Sequence, residues 1–360
     1  MSSSLRSHLA YSSTFVVVLG CSWACSVPQE PHVALAPPAV ATVVVEAVHV
    51  DRAGLYPEGI DIDPQSGRFV LGSFREGGVY TVAEDGSARR LVDDARLTSV
   101  VGVRVDAERR RVLVANSDLG ASVRASAAGP RRLATLGIYD LDNGAPQHFV
   151  DLAALRPDGA HLANALALDP EGNAYVTDSF SPVIYRVDLE GHATVFVEDE
   201  RFEGEGINLN GVVYHPGGFL LVAKKSDGKL FRISVEDPES LTEVVLDESL
   251  PGADGLVLVS STELAVVANQ ASGHALNAVI GLESEDGWNV ASETGRHELG
   301  DVYPTTGVVR GGSLFVLSSR LNRLILAEPA DKSAMRDQAM IRPVGTVEPL
   351  KLTSTTAGPR

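Results

Sequence analysis

From about Val43 onward, apolar and polar residues alternate in short runs and do not recur at helical spacing. The runs are rich in Val, Leu, Ile and Tyr, and Gly, Asp, Asn and Pro separate them, as in β-strands joined by turns. One phrase recurs six times: an alternating run, a turn, and a second run. Its copies are PEGIDIDPQSGRFVLGSF, VVGVRVDAERRRVLVANSD, ANALALDPEGNAYVTDS, LNGVVYHPGGFLLVAKKSDG, ADGLVLVSSTELAVVANQ and TTGVVRGGSLFVLSSR.

A third and a fourth run follow most copies, for example SPVIYRVDLEG and ATVFVED. Four runs that repeat every ~40–50 residues predict an all-β fold, a six-bladed β-propeller of four-stranded blades, over residues 42–350. Because a closed ring leaves no free sheet edge, we expect the run from Thr42 to Val50 to complete the last blade beside RPVGTVEPL. No amphipathic helices separate the strands, which argues against a parallel α/β sheet.

The first 26 residues have the layout of an export signal: a weakly basic start, a short apolar run and a small residue before Cys21. Val18–Cys21 resembles a bacterial lipobox, in which the cysteine is lipidated; a secretory signal that is cut nearby is the alternative. Residues 27–41 are rich in Pro and Ala and predict a linker, and residues 351–360 a C-terminal tail. We expect an exported protein: a cell-envelope lipoprotein, periplasmic or on the outer surface, or otherwise a secreted protein.

The formal net charge of −17 argues against binding to nucleic acid or to anionic lipid. Membrane contact is therefore expected only through a lipid anchor at Cys21. Cys25 is the single other cysteine, so the propeller has no internal disulfide framework. We expect a monomer whose partner is a small molecule.

In a propeller the first strand of each blade lines the central channel, so the residue that opens this strand lies at the channel mouth. The six such positions are Glu58, Val101 or Gly102, Asn164, Asn210, Asp254 and Thr306. Two carboxylates and two amides form an oxygen-only set, which suits Ca²⁺; Mg²⁺ and Mn²⁺ stay open and zinc is a poor match. The alternative is that Asn and Asp favour turns and strand starts in any case.

At these residues the chain resembles the gluconolactonase and regucalcin family of six-bladed, calcium-dependent lactonases, over about Tyr56 to Leu326. The resemblance implies one divalent cation, most simply Ca²⁺, whose protein ligands are Glu58, Asn164, Asn210 and Asp254. It also implies hydrolysis of a lactone: the cation polarises the carbonyl, and Asp254 activates water or serves as a plain ligand. Paraoxonases and strictosidine synthases share this propeller with different chemistry, so the architecture alone does not decide the activity.

The chain departs from the family pattern two residues before Asn164, where Leu162 replaces an arginine that binds substrate. A more apolar lactone or an ester is therefore expected as the substrate. His161 is a candidate general base, with a surface histidine as the alternative. Asp178 is a candidate substrate contact or a turn cap, and Thr306 is similar to the threonine that opens the family's last blade.

Lys224 and Lys225 end the second run of the fourth copy. We expect one of them, Lys224, to meet an anionic group of the substrate and the other to be solvated. The leading hypothesis is thus a cation-dependent hydrolase of a lactone or related ester. The alternatives are a non-enzymatic propeller of the cell envelope that binds a small molecule or a protein, and a calcium ion that only stiffens the channel.

Overall fold

The alternating runs form antiparallel strands, and these build six small sheets arranged as the blades of a β-propeller. The computed structural model describes residues 46–124, 129–271, 273–347 and 349–353. The predicted signal segment with Cys21, the linker and residues 354–360 of the tail lie outside the described residues. The prediction of a six-bladed all-β propeller is confirmed.

The strands of each blade are named first to fourth from the channel outward. Blade 1 consists of Pro57–Ile62, Phe69–Ser73, Gly78–Val82 and Ala88–Val92. Blade 2 consists of Ser99–Asp106, Arg111–Ser117, Ala134–Asp140 and Pro146–Asp151. Blade 3 consists of Ala163–Leu168, Ala174–Asp178, Val183–Val187 and Ala193–Glu198.

Blade 4 consists of Leu209–His215, Phe219–Lys224, Lys229–Ser234 and the short Leu241–Glu243. Blade 5 consists of Ala253–Leu258, Glu263–Ala271, His274–Glu283 and Val290–Glu298, and Val245–Leu246 adds a parallel fifth strand. The first three strands of blade 6 are Pro304–Arg310, Ser313–Ser318 and Met340–Val347.

The ring closes in blade 6, where strands from both ends of the propeller meet. Val48–His49 pairs antiparallel with Met340 and Ile341, and Leu350–Leu352 pairs with the far end of the same strand. The expectation that the N-terminal run completes the last blade is confirmed for Val48–His49. An unpaired edge is thereby removed from the third strand of this blade.

The core lies between the blades, and each pair of neighbouring sheets encloses one apolar cluster. Both faces of an inner strand are therefore buried, which explains continuous apolar runs such as Phe219–Ala223. Phe69 of blade 1 and Phe315 of blade 6 meet edge to face with ring centroids 5.4 Å apart. Each fully buried side chain of this size contributes about 1.5–3 kcal/mol of transfer free energy.

A seventh apolar cluster covers part of the channel mouth, and we call it the apolar cap. Its members are Tyr56, Phe74, Val101, Ala121, Leu162, Leu321 and Leu324. The short α-helix Leu321–Leu326 supplies two of them; the other α-helix is Pro329–Lys332, and the 3₁₀-helices are Ala153–Leu155 and Glu200–Phe202. Among the described residues no helix has the length and apolar character needed to cross a membrane.

Candidate functional site

Every first strand contains a β-bulge at the channel mouth. In blade 1 the pairing register shifts between Pro57 and Ile60, and the corresponding shift occurs in the other five blades. A bulge bends the strand and re-aims the extra residue, which is why such irregularities often accompany functional sites. The register also places Thr305, one residue before the predicted Thr306, in the position equivalent to Glu58.

The bulged residues surround a cavity of about 30 Å³ on the channel axis. Glu58, Asn210, Asp254 and Thr306 line it, so three of the four predicted ligands and one predicted substrate contact come together. Asn164 is not among the lining residues: its Nδ2 donates to Ser179 Oγ (2.9 Å), and its buried Oδ1 accepts no hydrogen bond from the described residues. A volume of this size accommodates one ion or a water or two.

The first strands approach so closely here that the glycines lining the cavity, Gly211 and Gly255 among them, have no room for a side chain. A Cβ atom on Gly255 would lie 2.4 Å from Thr306 Oγ1, and one on Gly211 would lie 2.7 Å from the carbonyl oxygen of Asp254. Both distances are far below ordinary contact. The Asn-Gly and Asp-Gly pairs of the sequence therefore combine a polar group with the close packing that lets it reach the axis.

Lys225 brings a positive charge to this cluster. Its Nζ donates to Asp254 Oδ1 at 2.5 Å and to Asn269 Oδ1 at 2.6 Å. Asp254 also accepts hydrogen bonds from Asn210 Nδ2 (2.7 Å) and from Asn269 Nδ2 (2.6 Å, to Oδ2). The ion pair is buried, since Lys225 is 8% exposed and Asp254 is 5% exposed. Both oxygens of Asp254 are thus engaged by donors.

Lys224 was the predicted substrate contact, Lys225 was expected to be solvated, and Asn269 was not predicted. The structure pairs Lys224 Nζ with Asp227 Oδ2 at 2.9 Å, and neither lysine is solvent-exposed. Lys225 and Asn269 occupy equivalent positions at the ends of the second strands of blades 4 and 5. Each comes one residue after the residue that pairs with the first strand just before its bulge, and Ser179 has this position in blade 3. Aligning the second runs at this position would have revealed a ring of polar groups.

Glu58 differs from Asp254 because no described residue donates a hydrogen bond to its carboxylate. Desolvation, and then the charge of Asp254, hold the pKa of Glu58 well above its usual range, while Lys225 opposes this shift. The Glu58 side chain is partly exposed and lines the small cavity. Glu58 therefore retains its full capacity to accept a proton or to bind a cation.

Tyr303 lies near the same site, since Lys225 Nζ is 6.0 Å from the centroid of its ring. Burial, and then the charges of Asp254 and Glu58, raise the pKa of the Tyr303 phenol. Its backbone is left-handed, with φ of 51°, which is strained for a bulky residue and doubly so before Pro304. Strain of this kind persists where surrounding contacts require it. Here it directs an aromatic side chain to the mouth.

His161 and Asp178 do not line the cavity; they form a buried pair of their own in blade 3. His161 Nδ1 lies 2.8 Å from Asp178 Oδ2, and the other ring nitrogen lies 2.9 Å from the carbonyl oxygen of Arg156. Burial alone would lower the pKa of His161, but the hydrogen bond and the charge of Asp178 outweigh it, so the pKa is raised. The hydrogen bonds of this pair favour a structural role over the predicted catalytic and substrate-binding roles.

A groove of about 790 Å³ opens beside the mouth, along blades 4 and 5. Its described lining includes Glu203, Glu205, Lys224, Lys225, Gln270 and Tyr303. Lys225 connects this groove to Asp254. The members of the apolar cap come from blades 1, 2, 3 and 6, so the open approach to the cavity lies along blades 4 and 5.

One group of potential metal ligands lies elsewhere. Asp188, Glu190 and His192 have ligand atoms within 4.8 Å of one another in the exposed turn between the third and fourth strands of blade 3. This turn is on the face opposite the channel mouth. Asp188 accepts hydrogen bonds from the backbone N–H groups of Glu190 and His192, which accounts for the geometry as a turn cap.

The oxygens at the mouth fit a divalent cation on three observations. The carboxylate of Glu58 has no hydrogen-bond donor among the described residues, and the buried Oδ1 of Asn164 likewise lacks a partner there. Asn210 presents its NH₂ to Asp254, and turning the amide over would present its oxygen. The set is hard and all-oxygen, as Ca²⁺ and Mg²⁺ require. Lys225, whose ammonium group already contacts Asp254, opposes the binding of a cation there.

These features define a six-bladed propeller with a polar, charged site where the channel opens. No family model matches the chain, and no match was found among curated proteins. Solved structures do match its fold. The major allergen Mala s 1 of Malassezia sympodialis is 15% identical with a TM-score of 0.65, over 83% of this chain and 95% of the allergen.

Two further similar structures are named regucalcin and gluconolactonase, as are members of the family that the sequence resembles. Regucalcin, a calcium-binding protein from Agrobacterium tumefaciens, is 17% identical with a TM-score of 0.56, over 82% of this chain and 93% of its own. A gluconolactonase from Xanthomonas campestris is 15% identical with a TM-score of 0.53, over 82% and 88%. The resemblance to this group is confirmed in structure, and at these identities it establishes the fold alone.

Proposed function

We propose that this protein is a divalent-cation-dependent hydrolase of a lactone or related ester, with its active site at the channel mouth. The observation that carries the proposal is the open carboxylate of Glu58, which shares one small cavity with Asp254 and Asn210. Similar folds named regucalcin and gluconolactonase support the same class of chemistry. Perturbed, convergent charges in a cavity are typical of active sites.

Glu58, Asn210 and Asp254 are the residues that would hold the cation, with Asn164 beside them. When bound, a divalent cation supplies Lewis-acid polarisation of the substrate carbonyl. Calcium is the ion we expect, because the donors are carboxylate and amide oxygens.

Asp254 and Glu58 have different roles in the proposed reaction. Asp254 is held by three donors, so of the two roles that the resemblance implied it serves as the plain ligand and not as the base. One oxygen of Glu58 is sufficient for binding, and the other is free to take a proton from the attacking water. The water oxygen bonds to the carbonyl carbon, the ring or ester C–O bond breaks, and the proton passes to the departing oxygen.

The surroundings indicate the substrate class. Leu162, which stands in place of an arginine, belongs to the apolar cap, and the groove beside Lys225 is bordered by residues of both charges. We therefore propose a small lactone or ester with an apolar body over the cap and a polar end in the groove. A monomeric protein, exported and anchored through a lipid on Cys21, completes the proposal.

The test is hydrolysis of a panel of lactones and aryl esters by the purified protein, with calcium and after chelation. Calcium-dependent turnover of at least one compound is expected, together with loss of calcium binding in Asn210→Ala. Asn143→Ala, a matched change in an exposed turn, should bind calcium like the wild type. No turnover on any compound, with calcium shown to be bound, would contradict the enzyme and leave the non-enzymatic binding propeller.

A further inference from the structure

We infer that Lys225 is a built-in counter-ion of the channel mouth, which competes with a divalent cation for Asp254. The inference rests on the proposed function, since it concerns the cation of the same site. Lys225 Nζ and Asp254 Oδ1 lie 2.5 Å apart. The ammonium group therefore occupies the oxygen with which Asp254 would bind a metal ion.

The charge balance of the cavity explains the competition. Its carboxylates are Glu58 and Asp254, and Lys225 already neutralises one of the two charges. Arg104 also lines the cavity, but its Nε donates to the carbonyl oxygen of Leu166 and its Nη1 lies 3.8 Å from Asp61. A divalent ion added to this set would leave an excess positive charge in a buried region, where like charges repel strongly.

The groove beside the mouth has room for a second position of the lysine. Lys225 lines the groove of about 790 Å³ as well as contacting Asp254, so its flexible side chain can move outward into the groove. The cation and the ammonium group then occupy Asp254 in turn. In the outward position the ammonium group faces the place where a polar end of the substrate would lie.

Calcium titration of the purified full-length protein tests the competition without any substrate. Lys225→Met is expected to bind calcium at least about tenfold more tightly than the wild type, because a positive charge in contact with Asp254 has been removed. Lys224→Met is the matched control: it removes the same charge one residue away, from a lysine that pairs with Asp227. It should change the affinity less than about threefold.

Equal or weaker calcium binding by Lys225→Met than by the wild type would overturn the inference and show that Lys225 only orders Asp254. If this variant does not fold, Lys225→Gln takes its place with the same expectation, because it keeps a donor and removes the charge. The outcome is independent of the hydrolysis assay. Tighter calcium binding without turnover would contradict the enzyme alone, and turnover without a gain in affinity would contradict the competition alone.

Discussion

Two buried ion pairs lie on the mouth face of the propeller, and they differ in what they leave unsatisfied. His161 and Asp178 in blade 3 are 1% and 0% exposed, and Lys225 and Asp254 between blades 4 and 5 are nearly as well buried. The first pair is closed by its own hydrogen bonds. The second lies beside Glu58, whose carboxylate has no donor among the described residues. Unused bonding capacity, and not buried charge as such, distinguishes the candidate site.

The difference has a structural origin. Asp178 accepts hydrogen bonds from the backbone N–H groups of Leu162, Phe180 and Ser181, and from the hydroxyl of Tyr185. All of these partners belong to blade 3 or the loop before it, so the pair fastens one blade internally. By contrast, the contact of Lys225 with Asp254 joins two blades across the channel mouth, where a ligand has access.

Replacing Asp178 by alanine should have the largest effect on stability. The change leaves a buried imidazole and three backbone N–H groups without their hydrogen-bond acceptor. We expect the free energy of unfolding to fall by about 3–5 kcal/mol. Chemical denaturation measures this loss. Asp140→Ala removes a carboxylate that accepts two backbone N–H groups in a more exposed turn, and it should cost only a small fraction as much. Equal losses in the two variants would mean that the His161–Asp178 pair stabilises the fold no more than an ordinary turn carboxylate does.

Glu58→Gln should affect activity and spare the fold. We expect kcat/KM on the best compound of the lactone and ester panel to fall about 100-fold or more, because the open carboxylate is the proposed proton acceptor. Stability should be unchanged or slightly higher, since the change removes a carboxyl group that Asp254 repels. Steady-state kinetics and thermal unfolding provide the two readouts. Glu108→Gln, at an exposed turn, is the control, and a loss of stability without a loss of activity would assign Glu58 to the fold.

Two tyrosines that precede prolines at the mouth sharpen the contrast. Tyr56 and Tyr303 have φ angles of 47° and 51°. The hydroxyl of Tyr56 donates to Asp337 Oδ2 at 2.6 Å, whereas Tyr303 faces the carboxylates of the cavity. Tyr56→Phe should lower the free energy of unfolding by about 1–2 kcal/mol. Tyr303→Phe should leave stability intact and lower kcat/KM by roughly tenfold. The reverse distribution of effects would contradict the assignment of Tyr303 to the site.

The sequence alone predicted the ring and the convergence of Glu58, Asn210 and Asp254. Both follow from periodicity: alternation sets the strands, six copies set the blades, and equivalent positions must meet on the axis. The bulges were not predictable in this way, because they shift the register without altering the apolar pattern. Thr305 occupies the position assigned to Thr306 because pairing in blade 6 begins at Pro304, as it begins at Pro57 in blade 1.

The ion pairs escaped prediction for a different reason. Lys224 and Lys225 are adjacent, so their side chains point in opposite directions, and it is Lys225 that reaches Asp254. The sequence does not show which of the two faces the channel. His161 and Asp178 were likewise candidates for catalysis and substrate binding, because a sequence does not show how many donors already bind a carboxylate. Hydrogen-bond satisfaction is a property of the assembled fold.

The smallest expected effect is a pH dependence that belongs to the blade 3 pair. Because Asp178 raises the pKa of His161 in the folded protein, the protonated imidazole stabilises the fold. This contribution is fully present below the unfolded-state pKa of roughly 6.5 and is lost as the pH rises through the higher folded-state pKa. The free energy of unfolding of the wild type should therefore decrease from acidic to alkaline pH, and that of His161→Gln should lack this decrease. Urea denaturation across that range measures it, with His49→Gln on an exposed strand as the control. A wild-type protein whose stability instead rises over the same pH range, relative to His161→Gln, would show that the imidazole is buried in its neutral form.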